Sequence, residues 1–240
     1  MAFIDFQKAF DSVDRTILYE VLRKGGLKGK LYGAIVSIYS SVNACVRYNS
    51  EISECFPCPI GLRQGCKLSP ILFALYINEL QEFLENQDVR GIQLFPNIVE
   101  VFILMFADDI GLISDTISGL QRQLNALETF CDSKRLTVNT DKTKILVFKR
   151  GGLLSQREKW KYKNKQIECV NGFTYVGIFF TNRLSLYKMA DAMAIKARKV
   201  LAQLFSYFAD LTCLPIKKHF LKFLTQRSAP YYCTARSSGD

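Results

Sequence analysis

Apolar and polar positions along the chain follow two periods, and their distribution predicts an α+β protein. Met1–Asp5 is a short apolar run closed by an acid, the pattern of a buried strand. From about Asp14 to Arg23, Ile17, Leu18, Val21 and Leu22 recur at helical spacing until Gly25-Gly26 stops them. Leu31–Tyr39 reads as a second helix and Ala44–Tyr48 as a strand. At Ser69-Pro70, Ser supplies an N-cap and Pro loses no needed donor, so a helix is expected to run from there to about Glu85. Val99–Phe106 and Ile110–Ser114 are rich in β-formers and predict a hairpin joined through Ala107-Asp108-Asp109. Ser118 is placed to cap a helix whose Leu120, Leu124, Leu127, Phe130 and Cys131 share one face. Ile145–Phe148 and Phe173–Phe180 read as strands, with a polar, basic loop or exposed hairpin over Lys149–Lys165 between them. After Leu184 the period is helical again through Leu204, and a further helix is expected over Ile216–Leu224. The expected organisation is an α+β domain over residues 1–182 and a mainly helical segment over 183–240.

Composition adds less than charge. With 49% hydrophobic and 22% charged residues, the 240-residue chain has the material for a core and is neither fibrous nor wholly disordered. Its net charge of +10 is unevenly placed: residues 1–115 carry 10 basic and 14 acidic side chains, and residues 116–240 carry 22 and 8. An acidic half suits metal ions and a basic half suits a polyanion, although a solvated basic face explains the second half equally well. The N-terminus lacks a basic segment followed by an apolar one, and the longest apolar runs fall short of the roughly 18 residues a membrane span needs. The expectation is an intracellular protein of the nucleus or cytoplasm, neither secreted nor membrane-bound. Eight cysteines show no repeating spacing, which fits reduced thiols. Cys55 and Cys58 form one C-x-x-C without a second pair or a nearby His, a weak zinc or redox signal beside ordinary cysteines.

Three carboxylates stand out because each follows a strongly apolar run: Asp5, and the pair Asp108 and Asp109. A carboxylate at the end of a buried strand is costly without a counterion, a metal or solvent. Two such strands side by side would bring their acids together around hard divalent cations. That arrangement serves two-metal phosphoryl or nucleotidyl transfer. Acidic turn residues at strand ends are the bland alternative.

The order of segments narrows the choice. Ala2–Asp14 (AFIDFQKAFDSVD), Gly61–Asn78 (GLRQGCKLSPILFALYIN), Phe106–Ser114 (FADDIGLIS), Leu136–Phe148 (LTVNTDKTKILVF) and Phe173–Thr181 (FTYVGIFFT) follow one another. In that order they resemble the palm of a reverse transcriptase, most closely the kind encoded by non-LTR (LINE-like) retrotransposons. The resemblance implies an α+β palm, an antiparallel sheet backed by helices, followed by a mainly helical thumb from residue 183. It implies that Asp5, Asp108 and Asp109 are catalytic and hold two Mg²⁺ (or Mn²⁺) ions, with the Phe6 carbonyl assisting. Phe10 matches an aromatic gate beneath the nucleotide sugar. Gln64, Gly65 and Lys142 match positions at the incoming dNTP; Asn139 matches a family Asn and is expected with Arg63 and the additional charge of Lys144 to contact nucleic acid, Arg63 being otherwise a solvated charge. Tyr175 and Gly177 fall in a segment resembling the primer grip.

The resemblance also gives the basic excess a task. Lys134–Lys165 holds 11 basic residues against two acids, interleaved with Trp160 and Tyr162, a combination suited to phosphate contacts and base stacking. The implied partners are an RNA template, a DNA primer and a dNTP. The family's fingers region precedes the first aspartate strand, whereas this chain begins four residues before Asp5. Two readings follow: an RNA-directed DNA polymerase palm and thumb, or a truncated, catalytically inactive retroelement remnant that acts at most as a nucleic-acid-binding scaffold.

Overall fold

The computed structural model describes residues 1–87, 89–95, 99–149, 151 and 158–210. Strand β1 (Ala2–Ile4) is wholly buried. Helix α1 (Arg15–Lys24) starts where the Asp14 carboxylate accepts from the Thr16 and Ile17 amides, and it buries Leu18, Val21 and Leu22. Helix α2 (Gly29–Ser40) buries Ile35 and Tyr39. The single strand expected over Ala44–Tyr48 is instead broken into nested pieces. In these, β2 (Asn43–Ala44) and β3 (Arg47–Tyr48) pair respectively with β5 (Phe56–Pro57) and β4 (Glu51–Ile52). Asn49 and Ser50 turn the inner pair with φ of 45° and 69°, the left-handed geometry of a two-residue hairpin.

Helix α3 (Ser69–Glu85) has Pro in its first turn as expected, but Ser69 is not its cap. The buried Ser69 hydroxyl donates to the Arg63 carbonyl at 2.6 Å, so it fastens the preceding loop. The long apolar run after it splits at Phe102: β6 (Ile92–Phe95) pairs with β7 (Val99–Val101), and β8 (Ile103–Phe106) pairs with β9 (Asp109–Leu112). Helix α4 (Ile117–Lys134) is capped by Thr116, whose hydroxyl accepts from Gly119, and not by Ser118. There follow β10 (Lys144–Leu146), the small hairpin β11 (Lys161–Tyr162) and β12 (Lys165–Gln166), and β13 (Glu168–Val170). The expected strand Phe173–Phe180 is a hairpin, β14 (Gly172–Tyr175) and β15 (Ile178–Thr181), because Val176 and Gly177 both turn left-handed. Helix α5 runs Leu186–Asp210. The helix expected over Ile216–Leu224 lies outside the described residues.

The main sheet has the order β13-β10-β1-β9-β8, antiparallel except for the parallel β10–β13 pair. Side chains of β1 alternate across it. Ala2 and Ile4 join Ile110, Leu112, Ile145 and helix residues such as Leu18, Leu72 and Leu124 in one core. Phe3 faces the other way with Leu146, Tyr175, Phe173 and Phe180. Burial on both faces explains why β1 reads as an unbroken apolar run and not an alternating one. The chain divides into two compact units, Met1–Met189 and Ala190–Asp240; the sheets and helices α1 to α4 lie in the first, and the described part of the second is helical.

Candidate active site

Register brings the acids together. Ile4 pairs with Ile110 in the antiparallel β1–β9 ladder, so one step further along β1 sets Asp5 level with Asp109. Phe106 pairs with Asp109 across a two-residue turn in which Ala107 takes a φ of 54°, a strained left-handed conformation for a residue with a Cβ. That turn puts Asp108 at the tip and makes Asp109 the first residue of β9. The Asp109 carboxyl is raised above its usual 3.8 by burial first, then by Asp108 and Asp5. Strand register and the tight turn together place the three acids in one region.

The other side of Asp5 is clamped by the segment before β10. Asp5 donates its amide to the Thr143 hydroxyl at 3.1 Å, and its carbonyl accepts from the Asn139 amide at 2.8 Å. The Gln7 amide donates to the Thr137 carbonyl, and Phe6 bridges Val138. With those bonds made by residues 5 and 7, the Phe6 carbonyl is turned away from that strand. Asn139 also orders its own loop: its side-chain oxygen accepts from the Asp141 and Lys142 amides at 3.2 and 3.3 Å. Lys142 is thereby carried to Asp5.

Asp5 and Lys142 line two clefts. The first, of about 580 Å³, adds Phe6, Phe10, Arg63, Gln64, Gly65 and Asp108. Here the Phe10 ring lies 4.8 Å from the Phe73 ring, half-buried with one side on the cleft. Gln64 donates from its amide to the Asp11 carboxylate at 3.0 Å. Gly65 has a φ of +78° with open space where a Cβ would sit, so its conformation and not packing calls for glycine. Arg63, Gln64 and Gly65 are exposed. The second cleft, of about 400 Å³, adds Phe3, Asp109, Lys144, Phe173 and Tyr175.

Arg15 braces the first cleft from behind, and nothing in its sequence context announces this. Its buried guanidinium donates to the carbonyls of Gly61, Tyr39, Cys58 and Ile60 at 2.7 to 3.0 Å. Gly61 itself is required: φ is +84°, and a Cβ would meet the Asp11 carbonyl oxygen at 2.7 Å. Amide bonds from Gly61 to Val13 and from Leu62 to Phe10 complete the join between the Phe10 and Gln64 segments.

Several residues expected to contact nucleic acid are engaged within the protein. Trp160 is buried and donates its indole N–H to the Ile117 carbonyl at 3.0 Å, so it packs the core and offers no ring to a base. Tyr162 is buried as well. Tyr175 is 8% exposed, lies 5.2 Å from the Phe3 ring, and donates to the carbonyls of Leu104 and Asp109. Lys144 is held by Glu168 and the Asp141 carbonyl. Gly177 shapes the β14–β15 turn. Much of the basic stretch is neutralised in place. Lys134 pairs with Glu79, Arg135 with Asp14, Lys149 with Glu158, Lys163 with Asp132 and Lys165 with Asp141. Sequence counts see charges but not these partners. Arg150 and Arg157 lie outside the described residues.

Among the described residues, no three His, Cys, Asp or Glu side chains enclose an ion-sized space. The chemistry of the donors suits a hard divalent cation: strand register gathers three carboxylates, and Phe6 lines the first cleft with Asp5 and Asp108. Among the described residues, no helix is long and apolar enough to cross a membrane.

The family described as Reverse transcriptase (RNA-dependent DNA polymerase) matches residues 1–179. The chain belongs to that family. Its relatives place this reverse transcriptase domain with non-LTR retrotransposons. It is 31% identical over 142 residues to a Pol polyprotein of the retrotransposable element R2DM of Drosophila melanogaster, covering 59% of this chain and 13% of that protein. An R2 element polyprotein of Popillia japonica is 24% identical over 185 residues, or 75% of this chain and 30% of that one. The RNA-directed DNA polymerase of the mobile element jockey of Drosophila melanogaster is 25% identical over 154 residues, or 61% and 16%. The reverse transcriptase domain thus spans less than a third of each of these relatives. An apo telomerase structure from Candida tropicalis covers 77% of this chain and 34% of its own, at 16% identity and a TM-score of 0.49.

Proposed function

We propose that this reverse transcriptase domain joins a dNTP to the 3′-hydroxyl of a DNA primer on an RNA template, with residues 1–182 acting as palm and the helical segment from 183 as thumb. The observation that carries the reading is the convergence of Asp5, Asp108 and Asp109 where two clefts meet. Asp5, Asp108, Asp109 and the Phe6 carbonyl would hold divalent cations, Mg²⁺ or Mn²⁺. Bound there, such ions supply a lowered pKa for the attacking hydroxyl and charge neutralisation on the triphosphate.

The chain's own residues divide the remaining work. The first cleft takes the nucleotide: Gln64 presents an amide oriented by Asp11, Gly65 lets backbone approach, and the Phe10 ring, backed by Phe73, closes the space a 2′-hydroxyl would need. Lys142 faces both clefts and places a cation, and a proton on Nζ, beside the pyrophosphate that leaves. The second cleft takes the primer end, which the β14–β15 hairpin supports through its backbone. Arg63, exposed at the rim of the first cleft, is available for phosphate contacts, whereas Lys144 is held by Glu168.

Primer extension by the purified chain on an RNA template with Mg²⁺ tests this reading, with dNTP incorporation above an Asp108→Asn control as the expected result. No incorporation above that control, together with retained folding, would establish the inactive-scaffold reading for this chain.

A further inference from the structure

The C-x-x-C of the sequence directs attention to Cys55 and Cys58, but the strand register gives Cys55 a different neighbour. In the β2–β5 ladder, Asn43 faces Pro57 and Ala44 faces Phe56, so the next step sets Cys45 opposite Cys55. The Cys58 amide donates to the Val42 carbonyl, which makes 42 and 58 a hydrogen-bonded pair. Hydrogen-bonded and non-hydrogen-bonded pairs alternate along such a ladder, so 44/56 is of the first kind and 43/57 and 45/55 are of the second. Pro57, which has no N–H, fits that assignment. Non-hydrogen-bonded pairs have the closer backbones, with Cα atoms about 4.5 Å apart, inside the span a disulfide bridges.

Beyond this pair the register moves by one. Val46 accepts from Ser53, and Arg47 faces Ile52, so residues 54 and 55 share the space opposite Cys45 as a bulge. Cys55 holds the Cys45 thiol above its usual range. Both cysteines are exposed, whereas Cys58 is half-buried with its amide on Val42 and its carbonyl on Arg15.

We infer that Cys45 and Cys55 form a paired dithiol, a modification site that peroxide closes to an intrachain disulfide. In the first step one sulfur attacks hydrogen peroxide, the O–O bond breaks, and sulfenic acid and water form. In the second step the other thiol displaces hydroxide from that sulfur, so that the S–S bond forms and a second water leaves. The two sulfurs give up two electrons, and the peroxide takes them. The bridge would tie the end of β2 to the start of β5 at the base of the β3–β4 hairpin, and β5 leads into the segment that Arg15 holds behind the first cleft. The site goes beyond the polymerase reading and does not depend on it.

The test uses the full chain, treated with hydrogen peroxide, quenched, digested with trypsin without reduction and mapped by mass spectrometry. Cleavage after Arg47 separates the two cysteines, so the bridge appears as a cross-linked peptide pair lighter by two hydrogens. The expected result is a Cys45–Cys55 pair that is undiminished in Cys58→Ser, lost in Cys45→Ser and Cys55→Ser, and reversed by dithiothreitol. Its yield in the folded chain should exceed that in urea by roughly tenfold, since fixed geometry raises effective concentration. A dominant Cys55–Cys58 bridge, oxidation to sulfinic acid without cross-linking, or equal yields in urea would each overturn the assignment.

Discussion

The two clefts that meet at Asp5 are built on opposite plans. In the first, Arg63, Gln64 and Gly65 are exposed, and their backbone is braced from behind by Arg15 and Ser69. In the second, the aromatic side chains are engaged with one another: the Phe3 and Phe173 rings stack at 4.4 Å, and the Tyr175 hydroxyl is occupied by two carbonyls. On the function proposed above, the cleft for the nucleotide presents exposed side chains, Gln64 among them oriented by Asp11, and the cleft for the primer end uses its side chains on itself. The shared acids sit at the boundary, tied to the rigid second cleft through the Asp109 carbonyl.

The contrast can be tested from its strongest consequence to its weakest. Asp5→Asn or Asp108→Asn removes a carboxylate common to the chemistry, and primer extension should fall by about a thousandfold, the equivalent of roughly 4 kcal/mol. In the second cleft, Phe173→Ala should cost about 2–3 kcal/mol of unfolding free energy, measured by urea denaturation, because a half-buried ring in a stack is lost. A stability change near zero would show that the aromatic packing is not what fixes this cleft.

A smaller and more discriminating pair comes next. Gln64→Ala should raise KM for dNTP severalfold while leaving kcat and the melting temperature alone. Tyr175→Phe should do the reverse: it loses about 1 kcal/mol of stability with the hydroxyl's hydrogen bonds and lowers kcat, leaving KM for dNTP unchanged. Interchanged phenotypes would dissolve the distinction between the clefts.

The weakest effect is electrostatic. Native Asp109 keeps its proton to a higher pH than the unfolded chain, whose value is near 3.8. Across the window from 3.8 up to that raised value the native state binds more protons, so Asp109's contribution to stability falls as pH rises. Asp108→Asn relieves part of the repulsion, so urea midpoints measured across acid pH should fall less steeply in the variant. It should also be more stable than the parent above the window, despite its expected loss of primer extension.

How far the sequence foretold this site depended on what each signal encodes. Helices α1, α3 and α4 were legible because one face of each is repeatedly apolar, and β1, β8 and β9 because apolar runs end at acids. Ser69 and Ser118 misled because either can cap a helix, and the choice between Ser118 and Thr116 is made by where the chain enters α4. The break at Phe102 follows from a competing partner, β6, that no local pattern reveals. Trp160 is the clearest case: an aromatic among lysines looks like a stacking platform, yet the cations on either side point outward while the indole fills the core beneath α4. Arg15 was invisible for the complementary reason, since its four acceptors are backbone carbonyls and backbone has no sequence signature.

The position of β1 also governs the history of each molecule. It is the central strand of its sheet, yet Ala2 pairs with Leu112 on one side and Ile145 on the other. During synthesis β1 therefore emerges well before both neighbours, and at about 5–20 residues per second it waits roughly seven to thirty seconds for the second of them. Throughout that interval Ala2-Phe3-Ile4 is an apolar stretch with two unpaired edges, and the loops to be closed are long. Assembly of the Asp5 site is consequently a late event in folding, because it waits for the strand that pairs with the far edge of β1.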